Sequence, residues 1–317
     1  MGLEDDVIGI FAKNNHLIGD DCAYLKKTKQ LIATDTIVEN THFNLKYFSP
    51  KQIAHRLLIS NYSDVQASGG KSKFALLNIS FPKNKKKEAT LICKYLNLSA
   101  KKLDIQIIGG DTTSSKEIIL SLTILSDTIK SRNVILRSTA KRGDNIYIFK
   151  NLGYSKLGYL SINKKIKLPT YLKKKSHKQF LEPKLLKYHD LFKSLNINSC
   201  MDISDSLIES LYEISKQSKK KITINNLNLI NPRICKFYNE DIMAYLKLIL
   251  TSGEEYTPVF TMNNKYLTSK ILSLFKKRGI GIVEIGKVDK GSGLECDQIN
   301  LKLIKSFDHF KKSYSYL

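Results

Sequence analysis

The stretch Ile-Gln-Ile-Ile-Gly-Gly-Asp-Thr-Thr, residues 105–113, joins a short apolar run to two glycines and a carboxylate. The apolar run has the length and composition of a buried strand. Two consecutive glycines let a backbone approach a phosphate closely, and the carboxylate of Asp111 can then hold a bridging metal ion. Taken alone, the same segment is also typical of a simple tight turn.

Four other acidic segments occur in the chain, two of them also beside short apolar runs. They are Gly-Asp-Asp at 19–21, Thr-Asp-Thr at 34–36, Asn-Tyr-Ser-Asp at 61–64 and Asp-Ile-Ser-Asp at 202–205. A carboxylate at the end of a buried strand is costly unless a partner stabilises its charge. Several converging carboxylates repel one another, and a hard divalent cation such as Mg²⁺, which takes oxygen ligands, relieves that repulsion. The sequence therefore predicts a Mg²⁺-dependent site that handles phosphate.

Each of these segments also has a purely structural interpretation. Asp64 lies well inside a predicted helix, where it is equally explained as a surface or capping acid. The segment 202–205 is equally explained as the N-cap of the helix that follows, a common position for Ser and Asp. The joint occurrence of the five segments, in this order, is what favours a shared site.

Apolar periodicity predicts an α/β protein with mixed or antiparallel sheets in two domains, 1–138 and 139–317. Ser49 and Pro50 give one helix a clear N-terminus. A turn at 141–144 marks the junction between the domains. The predicted strands are 31–38, 74–81, 104–109, 118–126, two within 133–150, 199–203, 222–224, 258–262 and 282–288. The predicted helices are 50–68, 86–101, 155–163, 183–195, 205–217, 240–250 and 266–278, with an exposed Lys-rich stretch up to residue 178.

Size, cysteines and charge limit the class of protein. The chain has 317 residues, enough for a substantial core, and no apolar run approaches the roughly 20 residues that span a bilayer. Its acidic N-terminus does not resemble a secretion signal. Five widely spaced cysteines suit neither a disulfide framework nor a zinc site, so a reducing cytoplasm is expected.

The formal net charge of +23 is carried by 46 Lys and only six Arg. Nucleic-acid-binding proteins use Arg heavily, because its planar guanidinium binds phosphate and guanine with two hydrogen bonds. The excess of Lys, together with many Ile and Asn, indicates a compositional bias on exposed positions. Nucleic acid is therefore a disfavoured partner, whereas a positive field suits anionic substrates such as nucleotides.

Two common phosphate-binding scaffolds are absent. The run Gly-Gly-Lys-Ser at 69–72 resembles the end of a phosphate-binding loop, but that motif requires Gly at position 65, where Val65 stands. A helix also precedes the run, so a helix end followed by an exposed turn explains it better. The motifs of protein kinases are missing as well.

The order of the acidic segments resembles the thiamine-monophosphate kinase family, within the superfamily that includes aminoimidazole ribonucleotide synthetase and the hydrogenase and selenophosphate maturation enzymes. The resemblance runs nearly end to end. The segments that carry it are 18–25, 33–43, 61–64, 109–113, 137–144, 202–205, 252–256 and 307–310. The His42 element, Gly-Glu-Glu-Tyr at 253–256 and Asp-His-Phe at 308–310 favour the thiamine branch.

The resemblance implies a homodimer whose N-terminal sheets form a barrel, with a nucleotide cleft between the two domains. It implies direct phosphoryl transfer from ATP to thiamine monophosphate. The implied Mg²⁺ ligands, for several ions, are Asp21, Thr34, Asp35, Asp64, Asp111, Asp202 and Asp205, of which Asp35, Asp64 and Asp111 are the implied catalytic residues. Gly110, Asp111, Arg137 and Ser204 are the implied contacts of ATP, and His42, Glu254 and Phe307 those of the acceptor.

Six positions depart from the family pattern, among them Thr257-Pro258, which stands in place of an acidic-apolar pair. Ala33 stands where the family commonly has Ser or Thr, and Ser206 replaces the usual Gly. Ser252 and Glu255 replace the usual Gly and Asp on either side of the Gly253-Glu254 pair. The last two changes fall on the acceptor side, so they bear on acceptor identity more than on the ATP site.

Two alternative functions remain open at this stage. One is a sister synthetase that uses ATP to activate an amide or carboxylate oxygen. The other is a basic nucleic-acid-binding protein, which predicts salt-sensitive retention of DNA or RNA and no need for the aspartates.

Asp111→Asn separates the kinase from the nucleic-acid-binding protein. Loss of one metal-binding carboxylate should abolish most of the phosphoryl transfer, whereas a polyanion-binding protein should bind as well or better with one negative charge fewer. The measurements are ATP turnover and retention on immobilised DNA. Unchanged turnover together with strong retention would contradict the kinase assignment.

Overall fold

The computed structural model of the protein describes residues 3–13, 15, 17–128, 134–192, 194–239 and 241–304. Helices and strands alternate along the chain. The helices are α1 (Leu3–Ala12), α2 (Pro50–Ala67), α3 (Lys86–Lys101), α4 (Tyr154–Ile162), α5 (Thr170–Leu181), α6 (His189–Phe192), α7 (Leu207–Ser218), α8 (Pro232–Phe237), α9 (Ile242–Leu250) and α10 (Ser269–Lys277). The strands are β1 (Ala23–Leu25), β2 (Gln30–Val38), β3 (Gly70–Phe81), β4 (Gln106–Ser114), β5 (Ile119–Thr128), β6 (Asn145–Phe149), β7 (Ile197–Asp202), β8 (Lys221–Ile224), β9 (Pro258–Met262), β10 (Ile282–Asp289) and β11 (Gly293–Cys296).

The first sheet has five strands in the order β1-β2-β5-β3-β4. Strands β3 and β4 are parallel and joined through α3, while the other pairs are antiparallel. Helix α2 packs on one face of this sheet. Strand β2 alternates accordingly: Leu31, Ala33 and Ile37 are buried beneath the helix, whereas Thr34 and Thr36 are exposed on the opposite face. This alternation places Asp35 on the helix-covered side of the sheet.

The second sheet has six strands in the order β11-β8-β10-β6-β9-β7. Strands β8 and β11 are parallel and the other neighbours are antiparallel. Two apolar clusters surround this sheet, one rich in Ile and Leu and one rich in aromatic side chains. The two mixed sheets confirm the predicted α/β class, while the domain boundary at residue 138 stays a prediction.

Helix α2 begins and ends where the sequence predicts. Ser49 caps its N-terminus: the Ser49 side chain accepts from the Gln52 backbone while the Gln52 side chain accepts from Ser49 N, and Pro50 opens the first turn. Ser68 is its C-cap, and Gly69 turns the chain into β3 with a φ of +77°. Ala67, at the C-terminal end of α2, packs in the aromatic cluster of the second sheet, so α2 contacts both cores.

The helix predicted over 183–195 is wrong: within the described residues of this segment only the four-residue α6 forms. The backbone before α6 bonds to side chains of α2 instead of to itself. His55 Nε2 lies 2.6 Å from Pro183 O, Gln66 Nε2 donates to Leu186 O at 2.7 Å, and Gln66 Oε1 accepts from Tyr188 N at 2.8 Å. These tertiary contacts replace the hydrogen bonds that a helix would have made.

Several other boundaries also differ from the sequence prediction. The stretch expected to be an exposed Lys-rich loop contains α5, whose Leu172 and Phe180 are buried. Among the described residues of 133–140, the structure has an isolated bridge at Leu136 and a short 3₁₀ turn at Arg137–Thr139 instead of a strand. Helices α1 and α8 and strands β1 and β11 have no counterpart among the predicted elements. No described helix combines the length and apolar character that crossing a bilayer requires.

Gly158→Ala should destabilise the protein, because α4 and α5 meet closely at this glycine. A Cβ at Gly158 would lie 2.2 Å from Ser176 O and 2.7 Å from Phe180 Cβ. We expect a loss of about 1–3 kcal/mol in the free energy of unfolding, measured by denaturant titration. The matched control is Gly9→Ala in α1, where a Cβ meets no atom within 4 Å. Ala is the better helix former, so the control should be neutral or stabilising; equal losses in both variants would contradict the prediction.

Candidate active site

Three carboxylates from distant parts of the chain meet in one cluster, in which Asp202 is buried and Asp21 and Asp64 are partly buried. The carboxylate oxygens of Asp21, Asp64 and Asp202 lie within 4.8 Å of one another. Asp21 precedes β1, Asp64 lies in the C-terminal part of α2, and Asp202 ends β7. The cluster therefore draws on both sheets, and it unites three of the five acidic segments identified in the sequence.

Neighbouring hydroxyl groups fix the position of Asp202. The Ser63 hydroxyl donates to Asp202 Oδ2 at 2.6 Å, and the Ser210 hydroxyl donates to the Asp202 carbonyl oxygen at 2.9 Å. Because Ser63 precedes Asp64 on α2, one turn of this helix both supplies a carboxylate and holds another.

Arg137 neutralises part of the negative charge. Its guanidinium forms an ion pair with Asp21, with Nε 3.1 Å from Asp21 Oδ1, and its backbone N donates to Asp20 Oδ1 at 2.7 Å. The Arg137 carbonyl oxygen accepts from the hydroxyls of Ser199 and Ser218, each at 2.9 Å. Arg137 thus joins the acidic loop of the first sheet to β7 and α7 of the second.

Burial raises the pKa of each carboxyl group of the cluster. For Asp64 and Asp202 the pKa rises well above its usual value, first through loss of solvent and then through repulsion from the neighbouring carboxylates. The pKa of Asp21 is also raised by burial, although Arg137 opposes the rise. Burial raises the pKa of Asp20 to about 6. The protein therefore offsets only part of the negative charge of the cluster. Uncompensated negative charge of this kind favours the binding of a metal cation.

A cavity of about 570 Å³ extends beside Asp35, between β2 and the second half of the chain. Such a volume accommodates a small-molecule ligand. The Asp35 backbone N donates to Asn61 Oδ1 at 3.0 Å, which explains the amide in the 61–64 segment. Burial raises the pKa of Asp35 as well. Five residues predicted to be functional line this cavity: Asp35, His42, Ser204, Asp205 and Glu254.

His42 has a defined orientation at the cavity wall. Its Nδ1 accepts from the Val38 backbone N at 3.0 Å. A neutral ring with an accepting Nδ1 carries its proton on Nε2. His42 therefore has a hydrogen-bond donor on the other edge of its ring.

Glu254 forms an ion pair with Arg56 of α2, a residue that the sequence analysis did not single out. Arg56 is 1% exposed, its Nη2 donates to Phe180 O at 2.6 Å, and its guanidinium lies 4.7 Å from the ring centre of Phe48 and 5.1 Å from that of Phe180. A signal existed in the composition, since Arg is rare in a chain that fills exposed positions with Lys. The ion pair links α2 to the loop between α9 and β9, which carries Glu254.

Ser252 and Glu255, two of the residues that depart from the family pattern, anchor the loop between α9 and β9. Glu255 is buried, and its Oε1 accepts from Gly153 N at 2.7 Å and from the Ser252 hydroxyl at 2.6 Å. Burial raises the pKa of Glu255 to about 7. Gly153 is the N-cap of α4, so Glu255 satisfies a backbone donor at the start of that helix. The Ser252–Glu255 pair therefore has a structural role behind the cavity wall.

Lys156 is a second cavity residue that the sequence analysis missed. It lies in the first turn of α4 and is 7% exposed. Its Nζ donates to Thr251 O at 3.3 Å and also contacts Thr251 Oγ1. Burial lowers the pKa of Lys156 to about 7. Nothing in the sequence distinguishes this lysine from the 45 others, because its burial arises from tertiary packing alone.

The structure does not bring every predicted residue to the cluster or the cavity. The Thr34 hydroxyl lies 2.9 Å from the Thr123 hydroxyl on the exposed face of the first sheet, opposite Asp35. Asp111 is exposed on the edge strand β4, where its Oδ1 accepts from Thr112 N at 2.8 Å. Gly110 makes its close backbone approach to β3, since a Cβ there would lie 1.7 Å from Leu77 O. Phe307 lies outside the described residues.

Comparison with known proteins places these features in a family. Residues 19–126 match the family model of the AIR synthase related protein, N-terminal domain. The thiamine-monophosphate kinase of Buchnera aphidicola subsp. Schizaphis graminum is 36% identical, with 97% of this chain and 98% of that protein covered. That of Leptospira interrogans is 32% identical, with coverages of 81% and 82%.

Solved structures share the fold over nearly the whole chain. The structure described as AaThiL complexed with AMPPCP and TMP has a TM-score of 0.81 at 23% identity, covering 98% of this chain and 97% of that one. Thiamine monophosphate kinase from Aquifex aeolicus has a TM-score of 0.75 at 23% identity, with coverages of 94% and 98%. The E. coli hydrogenase maturation protein HypE has a TM-score of 0.66 at 14% identity, with coverages of 96% and 97%.

The raised pKa values predict how stability depends on pH in chelator-treated protein. A carboxyl group with a higher pKa in the folded state binds more protons there, so the free energy of unfolding falls as pH rises from about 4 towards neutral. Asp64→Asn removes one of these charges. We expect the fall in Tm between pH 5 and pH 7.5 to be smaller in this variant, by about 3 °C, in thermal unfolding scans.

The matched control for that experiment is Asp104→Asn. Asp104 is exposed and has a φ of +58°, a conformation that Asn also adopts readily. Its curve of Tm against pH should follow that of the unsubstituted protein. Parallel curves of Tm against pH for Asp64→Asn and the unsubstituted protein would contradict the prediction, because they would show that the charge of Asp64 does not destabilise the folded protein.

Proposed function

This chain belongs to the thiamine-monophosphate kinase family, and on that premise we propose that it transfers the γ-phosphoryl group of ATP to thiamine monophosphate. The products are ADP and thiamine diphosphate. The observation that carries the proposal is the cavity next to the buried carboxylates, which has Asp35 and Asp205 on its wall together with His42 and Glu254. This arrangement supports a phosphate site and a site for a small organic acceptor that are contiguous.

Mg²⁺ is the metal whose chemistry fits these residues. The donors of the buried cluster are all carboxylate oxygens, and their mutual repulsion is only partly offset by Arg137. When bound, Mg²⁺ would neutralise charge on the ATP tail and on the acceptor phosphate. The proposed ligands are Asp21, Thr34, Asp35, Asp64, Asp111, Asp202 and Asp205; the roles of Thr34 and Asp111, which lie outside both the cluster and the cavity, rest on the family resemblance alone.

The protein's own residues orient the two substrates. Glu254, held by Arg56, and His42, with its proton on Nε2, are proposed to bind thiamine monophosphate, with Phe307 completing the acceptor site. Gly110, Asp111, Arg137 and Ser204 are proposed to contact ATP. A phosphate acceptor is already ionised at neutral pH, so positioning and charge neutralisation suffice and no strong general base is needed.

We further propose two domains, 1–138 and 139–317, and a homodimer in the cytoplasm. The uncovered face of the first sheet supports dimerisation. Phe74, Leu76 and Ile108 are exposed on its strands β3 and β4 at 40%, 38% and 52%. Pairing two such sheets into a barrel would bury these side chains.

The test is an assay with ATP, Mg²⁺ and thiamine monophosphate that quantifies thiamine diphosphate by chromatography. Product should require all three components. Asp202→Asn should lower kcat by about 100-fold or more, because it removes a buried carboxylate from the proposed metal site. Asp104→Asn serves as the matched exposed control and should retain full activity. Mg²⁺-dependent ATP binding without thiamine diphosphate formation would contradict the proposed acceptor.

A further inference from the structure

One cationic side chain lines the part of the cavity that the structure describes. Among the described residues that line it, Lys156 is the single lysine or arginine, whereas Asp35, Asp205 and Glu254 bring carboxylates. The proposed acceptor carries charge of both signs, an anionic phosphate and a cationic thiazolium ring. Carboxylates suit the cationic ring or a bridging metal, and an ammonium group suits the phosphate.

We propose that Lys156 is a substrate-binding residue whose ammonium group contacts the phosphate of the acceptor. This inference rests on the proposed function, and it adds a specific contact that distinguishes a phosphorylated acceptor from its unphosphorylated form. The contact is a charge-assisted hydrogen bond from Nζ to a phosphate oxygen.

The surroundings of Lys156 give its amine a defined position on the cavity wall. Nζ donates to Thr251 O at 3.3 Å and contacts Thr251 Oγ1, and the Thr251 hydroxyl in turn donates to Lys247 O at 2.6 Å. Thr251 lies in the same loop as Glu254, and both line the cavity. A side chain held in this way loses little further conformational freedom when a ligand binds.

The helix that carries Lys156 is also fixed in place. Glu255 binds the N-cap residue Gly153 at 2.7 Å, and Gly158 packs against the backbone of Ser176 in α5. The contacts at Gly153 and Gly158 hold α4 on both sides of Lys156, which keeps Lys156 directed to the cavity. The buried Ser252–Glu255 pair acts here as a support for the proposed binding residue.

The burial of Lys156 is consistent with an anionic ligand. A lysine that is 7% exposed loses solvation, which lowers its pKa to about 7. A phosphate dianion beside the amine favours the charged form and offsets that cost. An exposed lysine would provide much weaker discrimination, because solvent screens its charge.

The test compares two ligands that differ only in the phosphate. Binding of thiamine monophosphate and of thiamine is measured by titration calorimetry with Mg²⁺ for the unsubstituted protein and for Lys156→Met. The preference for the phosphorylated ligand should fall about tenfold or more in the variant. Affinity for thiamine and KM for ATP should each change by less than about twofold, since neither involves the proposed contact.

Two further variants keep the test decisive. Lys167→Met removes the charge of an exposed lysine outside the cavity lining and should preserve the preference, which excludes a general effect of net charge. Lys156→Gln keeps a donor towards Thr251 without the charge, and it replaces Lys156→Met if the latter does not fold. Thermal unfolding verifies that each variant is folded.

The possible outcomes separate this inference from the proposed function. Equal weakening of both ligands would assign Lys156 a structural role and overturn the inference. A rise in KM for ATP, with the preference unchanged, would place the contact on the nucleotide and overturn it too. Failure of the unsubstituted protein to bind or turn over thiamine monophosphate would overturn the proposed function itself, and the inference with it.

Discussion

Repulsion among Asp21, Asp64 and Asp202 is the constraint on which the arrangement of this protein depends. Three carboxylates within 4.8 Å of one another, Asp202 buried and Asp21 and Asp64 partly buried, oppose folding unless their charge is compensated. The protein supplies Arg137 and the Ser63 hydroxyl, and burial still raises the pKa of all three groups. We propose that a bound cation supplies the remaining compensation, so the unfavourable electrostatics of the free protein and its proposed use of Mg²⁺ have one cause.

Helix α2 connects the carboxylate cluster to the cavity and to both sheets. It supplies Asp64 to the carboxylate cluster, Asn61 to the backbone of Asp35, and Arg56 to Glu254. These side chains lie on a helix whose N-terminus is fixed by a capping box and whose C-terminal end packs in the aromatic core of the second sheet. The proposed metal site and the proposed acceptor site are therefore coupled through one rigid element.

The structure gives three of the residues that depart from the family pattern, Ser252, Glu255 and Ser206, a local structural role. Ser252 and Glu255 interact directly: the Ser252 hydroxyl donates to the Glu255 carboxylate, which also accepts from Gly153 N. Their interaction supports the wall that carries Lys156 without itself lining the cavity. Ser206 has a similar local role as N-cap of α7, with its side chain accepting from Glu209 N. These residues maintain the frame around the site, which is compatible with an unchanged acceptor.

The amino-acid sequence by itself determined the α/β class, most strands, the capped helix α2 and the identity of the acidic segments, since these depend on local periodicity and on residue type. It did not determine which carboxylates meet. Asp111 and Thr34 belong to the same set of motifs as Asp64, yet the pleat of β2 turns Thr34 away and β4 leaves Asp111 at an exposed edge. The loss of the helix predicted at 183–195, the burial of Arg56 and Lys156, and the cavity itself were decided by the tertiary structure alone. The physical reason is that each depends on hydrogen bonds and packing between residues about a hundred or more positions apart, whose energies no local pattern records.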